Sequence, residues 1–246
     1  TESLTDPSYK EQILVYTYPI IGNYGVPKDT KDEYGLSEVF ESDEIHVNAL
    51  VVQEIVDKYS HWQSEMSLSE WLDREGVVGI SGIDTRELTK IIREHGTMKA
   101  RITSEISDTI LKQPIVYTPT NLVKKVSGKR TFSPSVWRTD ETDEETEETD
   151  KDAYEVDTYG KEVRFFKGLN DICIMDCGIK NSQIRIILNK VKEYNTLNPS
   201  KTFQVIITPF LPYDNYTFID TSNGIFISNG PGDPRDECLK PLVELI

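Results

Sequence analysis

Apolar and polar positions recur with two different periods along this chain, and the change of period marks its elements. Ile13-Leu14-Val15-Tyr16 is a short apolar run ended by Pro19, the pattern of a buried strand. Asn23-Tyr24-Gly25 and the stretch from Pro27 to Gly35 read as loop. Ile45 to Val52 and Val77 to Ile80 predict two further strands. Ser67 with Glu70 three positions on is a capping box, opening a short helix through Trp71 and Leu72. Asp84 and Glu87, then Leu88, Ile91, Ile92 and His95, give a helical period with its N-cap, and Gly96 ends it. Met98 to Ile102 alternates as a strand does.

From about residue 166 the pattern becomes regular strand–helix alternation. Ile172 to Met175 is an apolar strand running into Asp176-Cys177-Gly178, and Ile184, Ile187, Leu188 and Val191 mark one helix face. Phe203 to Thr208 and Gly224 to Ser228 predict two more strands, and a last helix starts near Asp236. Short connections between such elements predict a parallel sheet covered on both faces. Ligands of these sheets bind at the carboxyl ends of strands. Two segments of unusual composition fall there: Asp176-Cys177-Gly178, and Asn229-Gly230-Pro231-Gly232-Asp233-Pro234. Gly230 and Gly232 let a ligand approach the main chain closely, while Pro231 and Pro234 stiffen the segment. Such a turn is either a tight surface reversal or a rigid row of N–H groups able to stabilise an oxyanion.

Charge changes the picture between these two blocks. The formal net charge is −15, with 27 Lys and Arg against 42 Asp and Glu. Residues 139–152 (TDETDEETEETDKD) alone contribute −8, next to a basic patch of Lys124, Lys125, Lys129 and Arg130. A run of this kind repels itself and buries no apolar surface, which predicts a disordered linker or insertion over 124–165. The 246 residues then divide into a mixed α/β domain over 1–123, that linker, and an α/β domain over 166–246. Without a basic face the chain is not expected to bind nucleic acid, and no motif for cradling nucleotide phosphates occurs.

Cys173, Cys177 and Cys238 are an odd number, better read as reduced thiols than as a disulfide framework. His46, His61 and His95 lack ligand spacing, so no metal site is expected. No run of 18 apolar residues predicts a membrane span, and Thr1 to Pro7 does not have the form of a signal peptide. A start without Met points to a fragment or a processed chain.

Several ordered motifs carry a family resemblance. Phe226 to Pro234 resembles the oxyanion-side motif of class I glutamine amidotransferases, in particular the glutaminase portion of carbamoyl phosphate synthetase. Leu4-Thr5-Asp6-Pro7-Ser8-Tyr9, Tyr18 to Gly25 and Gly82 to Gly96 are similar to the N-terminal domain of that small subunit. Asn121-Leu122-Val123 and Val126-Ser127 resemble the approach to the amidotransferase domain, and Asp176 to Arg185 its opening, with a Gln-Ile-Arg ending closest to eukaryotic pyrimidine-pathway enzymes. The fold implied is the N-terminal part of a Rossmann-like class I amidotransferase domain behind a mixed α/β domain.

The resemblance implies that L-glutamine is hydrolysed to ammonia, which a synthetase uses with ATP and bicarbonate to make carbamoyl phosphate. That synthetase is either a large subunit or part of the same polypeptide; ATP and Mg are expected there, with no cofactor in this chain. Ser8 would contact glutamine across the domain interface, Gly230 would offer an N–H to the oxyanion, and Gly232 would contact the bound amino acid. The catalytic Cys, His and Glu of the family are expected outside this chain, with Cys177 in a packing position. A cytoplasmic enzyme is implied. The rivals are the arginine-pathway form, another class I amidotransferase, and a catalytically inactive module that docks to and regulates a synthetase.

Overall fold

A computed structural model describes residues 1–104, 107, 112–115, 120–128, 136–137, 153–158, 161–166, 170–210 and 222–240. Two compact units emerge, and they do not follow chain order. One comprises Thr1, Tyr9–Lys28 and Ile45–Thr120; the other comprises Glu2–Ser8, Asp29–Glu44 and Asn121–Ile246. Residues 2–8 and 29–44, grouped by their sequence with 1–123, thus join the C-terminal unit. Hydrogen bonds spanning 141 to 159 residues hold the second of these segments there.

The first unit contains strands β1 (Ile13–Val15), β2 (Ile20–Ile21), β3 (Val26–Pro27), β4 (Ala49–Val51), β5 (Glu54–Ile55), β6 (Ser64–Met66) and β7 (Val78–Ile80). Its main sheet is parallel, in the order β1-β4-β7, with Leu50 registered against Leu14 on one side and Gly79 on the other. Central β4 is buried throughout. The helix Leu68–Arg74 carries the expected capping box: Glu70 N donates to Ser67 Oγ at 3.1 Å and Ser67 N to Glu70 Oε2 at 2.8 Å. Thr85–His95 is the second helix, with Asp84 Oδ1 accepting from Glu87 N at 3.0 Å and Gly96 closing it. Met98 to Ile102, expected as a strand, forms none and is exposed from Met98 to Arg101. Alternation supplies no ladder by itself; backbone groups need a neighbouring strand to pair with.

The second unit contains β8 (Val136–Trp137), β9 (Ala153–Thr158), β10 (Lys161–Phe166), β11 (Asn170–Asp176), β12 (Phe203–Pro209) and β13 (Gly224–Ile227). Its sheet runs β13-β11-β12-β8, parallel apart from the antiparallel β8. Central β11 is buried on both faces, as a parallel sheet requires. Ile174 belongs to one core with Leu36, Ile179, Ile184, Leu188, Val191 and Val205, which includes the apolar face of the helix Asn181–Leu197. Cys173 and Met175, one residue out of phase, belong to another core with Val123, Cys177, Phe210 and Leu239.

The acidic run 139–152 lies outside the described residues. Further along the span read as linker, β9 and β10 pair as an antiparallel hairpin, with Val163 opposite Val156 and Phe165 opposite Tyr154. The expectation of disorder over 124–165 came from the acidic run; beyond it, the alternating Tyr154, Val156, Val163 and Phe165 restore a strand period. Of the helix expected from Asp236, the turn Glu237–Leu239 is described.

Candidate active site at the ends of β11 and β13

β11 and β13 are adjacent and parallel, so their carboxyl ends bring Asp176-Cys177-Gly178 beside Ser228-Asn229-Gly230. Side chains hold this junction. The buried Asp176 accepts from Gly178 N and Ile179 N through Oδ1, both at 2.9 Å, and from Gly128 N through Oδ2 at 3.0 Å. One carboxylate therefore satisfies three main-chain donors from two segments. Ser228 does the matching work on β13: its Oγ accepts from Cys177 N at 2.9 Å and donates to Asn229 O at 2.8 Å.

The two glycines at the crossing have separate reasons. Gly178 has φ of +122°, and an added Cβ would stand 3.1–3.3 Å from Val126, Pro7 and the Cα of Gly230. Gly230 has no such φ; instead an added Cβ would overlap the carbonyl oxygen of Cys177. The main chains of 177–178 and 230 thus pass in direct contact, which only glycine permits. Gly232 sits at φ +93° as the chain leaves the turn, and Asp233 is gripped by Arg235 at 2.6 Å. That guanidinium bond, with Arg235 N donating as well, holds the Asp233 carboxyl down to about 2.

Ser8 is brought to the same place. Asn229 Nδ2 donates to Ser8 Oγ at 2.6 Å, joining positions 221 residues apart. Ser8 N donates to Asp6 Oδ1 at 2.9 Å, and Asp6 Oδ2 pairs with Lys180 Nζ at 3.6 Å. Ser8 was expected to reach the substrate from the other domain; it belongs to the same compact unit as the turn. Ser8 and Gly230 are therefore assembled about the Asn229 carboxamide, with Gly232 two residues along the turn.

Cys173 and Cys177 do not supply a nucleophile here. Burial first, then the neighbouring Asp176, pushes the Cys177 thiol up to about 12; burial and Asp171 do the same for Cys173. Both stay protonated at neutral pH, and it is the thiolate that attacks. Among the described residues no group of three or more His, Cys, Asp and Glu is placed to hold a metal ion. Sequence reasoning missed Asp176, Ser228, Asn229 and Asp6 as the groups that hold the site. The spacing of Asp6 and Ser8 is a turn signal in which the side chain caps the backbone two residues on, and it was readable.

Residues 1–102 match the family model of the carbamoyl-phosphate synthase small chain, CPSase domain. The chain is 38% identical over 241 residues to the carbamoyl phosphate synthase arginine-specific small chain of Saccharomyces cerevisiae, covering 95% of this chain and 47% of the relative. Over residues 1–102 the chain is thus similar to that small-chain domain, and the likeness to carbamoyl phosphate synthase small chains runs on through nearly all of it. It is also 38% identical over 239 residues to the multifunctional protein CAD of Squalus acanthias (95% of this chain, 8% of the relative). With multifunctional protein pyr1-3 of Dictyostelium discoideum it is 37% identical over 239 residues (95% and 9%). The chain thus spans about half the length of the family's small chains and under a tenth of the multifunctional relatives. Motifs from both halves of the chain lie within these alignments, since 95% of it is covered.

Proposed function

We propose that this chain forms the glutamine-binding part of the glutaminase portion of a glutamine-dependent carbamoyl phosphate synthetase. L-Glutamine is the substrate, ammonia the product passed on, and a synthetase subunit or domain the partner that consumes it with ATP and Mg. Ser8 contacts the bound glutamine, and Gly232 contacts its amino-acid end. The N–H of Gly230 faces the oxyanion that forms when a thiolate attacks the carboxamide carbon. That thiolate comes from beyond these 246 residues. A catalytic cysteine needs a histidine to take its proton and a carboxylate to orient that histidine; the described cysteines are buried and protonated. Unpaired Cys173 and Cys177 suit a reducing compartment, the cytoplasm. Among the described residues no helix is long and apolar enough to cross a membrane.

One observation carries this reading: the side chain of Asn229, beside the glycine pair, lies in hydrogen-bond contact with Ser8. A family-like turn far from Ser8 would have had no substrate group beside it. The test compares the full-length enzyme with the 246-residue chain. The full-length enzyme releases ammonia from glutamine and makes carbamoyl phosphate from either glutamine or added ammonia; the isolated chain releases no ammonia above background. A full-length protein that makes carbamoyl phosphate from added ammonia but never from glutamine overturns the glutaminase reading and leaves the inactive docking module.

A further inference from the structure

Asn229 is assigned no contact with substrate, yet its side chain joins the glycine-rich turn to Ser8. Its Nδ2 spends one proton on Ser8 Oγ at 2.6 Å and points the other toward Gly178 O at 3.5 Å. Its Oδ1 is buried and meets no donor among the described residues. The nitrogen fixes Ser8 from the side-chain end, while Asp6, paired with Lys180, fixes it from the main-chain end. A hydroxyl held at both ends keeps one rotamer, and a fixed rotamer gives a hydrogen bond its direction.

We infer that Asn229 is a positioning residue for the glutamine site: its carboxamide sets the direction in which the Ser8 hydroxyl meets the substrate. It acts through Ser8 and does not touch the reacting atoms. The inference rests on the proposed role of Ser8 as a glutamine contact. Polarity is the central feature. An amide nitrogen can only donate to Oγ, whereas a carboxylate of the same size can only accept and would turn the Ser8 O–H inward.

The test uses the full-length enzyme with N229D, S8A and the double variant, measured by steady-state glutamine hydrolysis. N229D raises KM for glutamine about tenfold while kcat changes less than about threefold, the scale of one misdirected hydrogen bond to a charged ligand. In the S8A background the same substitution changes KM less than about twofold, because the group it acts through is gone. Synthesis from added ammonia, which bypasses this site, stays at the wild-type rate in all three variants. An unchanged KM in N229D, an equal rise with and without Ser8, or a parallel loss of ammonia-dependent synthesis overturns the inference. If S8A raises KM and N229D does not, the glutamine site stands and this inference alone falls. If the wild-type enzyme hydrolyses no glutamine, both fall together.

Discussion

Each unit has a main sheet in which a buried strand lies between parallel neighbours, and the two sheets end differently. In the first unit the backbone goes on pairing with itself past the strand ends: Tyr16 N donates to Val51 O, Val52 N to Ile80 O and Gly82 N to Gln53 O. Main-chain groups there are consumed by the sheet. In the second unit the backbone also pairs one step past the strands, Ser228 N donating to Met175 O and Phe210 N to Asp176 O, and there side chains add a second hold: Asp176 takes three N–H groups, Ser228 a fourth, and Asn229 reaches Ser8. A parallel sheet offers a site only where side chains hold the loops and leave a turn's main chain free for a ligand. Topology alone does not make the difference; Asp, Ser and Asn at the strand ends do.

The strongest way to break this contrast is Asp176→Ala, which removes the acceptor of three N–H groups. Each buried donor left unsatisfied is destabilising by ~1–3 kcal/mol, so about 3–9 kcal/mol in all is expected from denaturant unfolding. A loss under about 1 kcal/mol would mean the carboxylate is dispensable and the contrast false. Gly230→Val comes next. Its side chain collides with the Cys177 carbonyl, and the loss of one oxyanion donor lowers glutamine turnover by ~10²–10³, with ammonia-dependent synthesis preserved.

Alkaline titration separates the units more gently. Cys173 and Cys177 are raised by burial from an ordinary value of 9.0 to about 12, so the folded state holds their protons more tightly than the unfolded chain. Their contribution is complete below about pH 9 and fades between 9 and 12, at ~1.4 kcal/mol per pH unit for each thiol. Replacing both with Ala should flatten the stability curve over that range. The smallest effect belongs to the first unit: Ser67→Ala removes the capping box for a loss of about 1 kcal/mol and leaves KM for glutamine unchanged. A raised KM in that variant would show that the site's integrity depends on the first unit as well.

What the sequence disclosed was whatever a local period or cap can signal. Ser67 and Glu70, Asp84 and Gly96, and the Ile184–Leu188–Val191 face all stand where their spacing put them. So do the two motifs at adjacent strand ends, because strand–helix alternation fixes that geometry. What stayed hidden has no local period. Arg185 Nε donates to Asp32 at 2.6 Å, and Glu41 accepts from Ser182 N at 3.0 Å and from Ser182 Oγ at 2.8 Å. Nothing near Asp32 or Glu41 announces a helix 141 or more residues away. Met98 to Ile102 failed in the opposite way, with a local signal that no strand among the described residues answers. Asn229 was in view within the turn and Ser8 in its own motif, but the contact between them was not, and a side chain's work is defined by its partner.

The patchwork make-up of the second unit has a consequence for how the protein is made. Residues 29–44 leave the ribosome well before the helix Asn181–Leu197 that Glu41 caps. At a synthesis rate of ~5–20 residues per second, that strip waits on the order of ten seconds for its partner. During that interval Leu36, buried at the end, has no core to enter. Translation speed across the intervening stretch, and any chaperone that shields the early strip, therefore bear on the yield of the finished site.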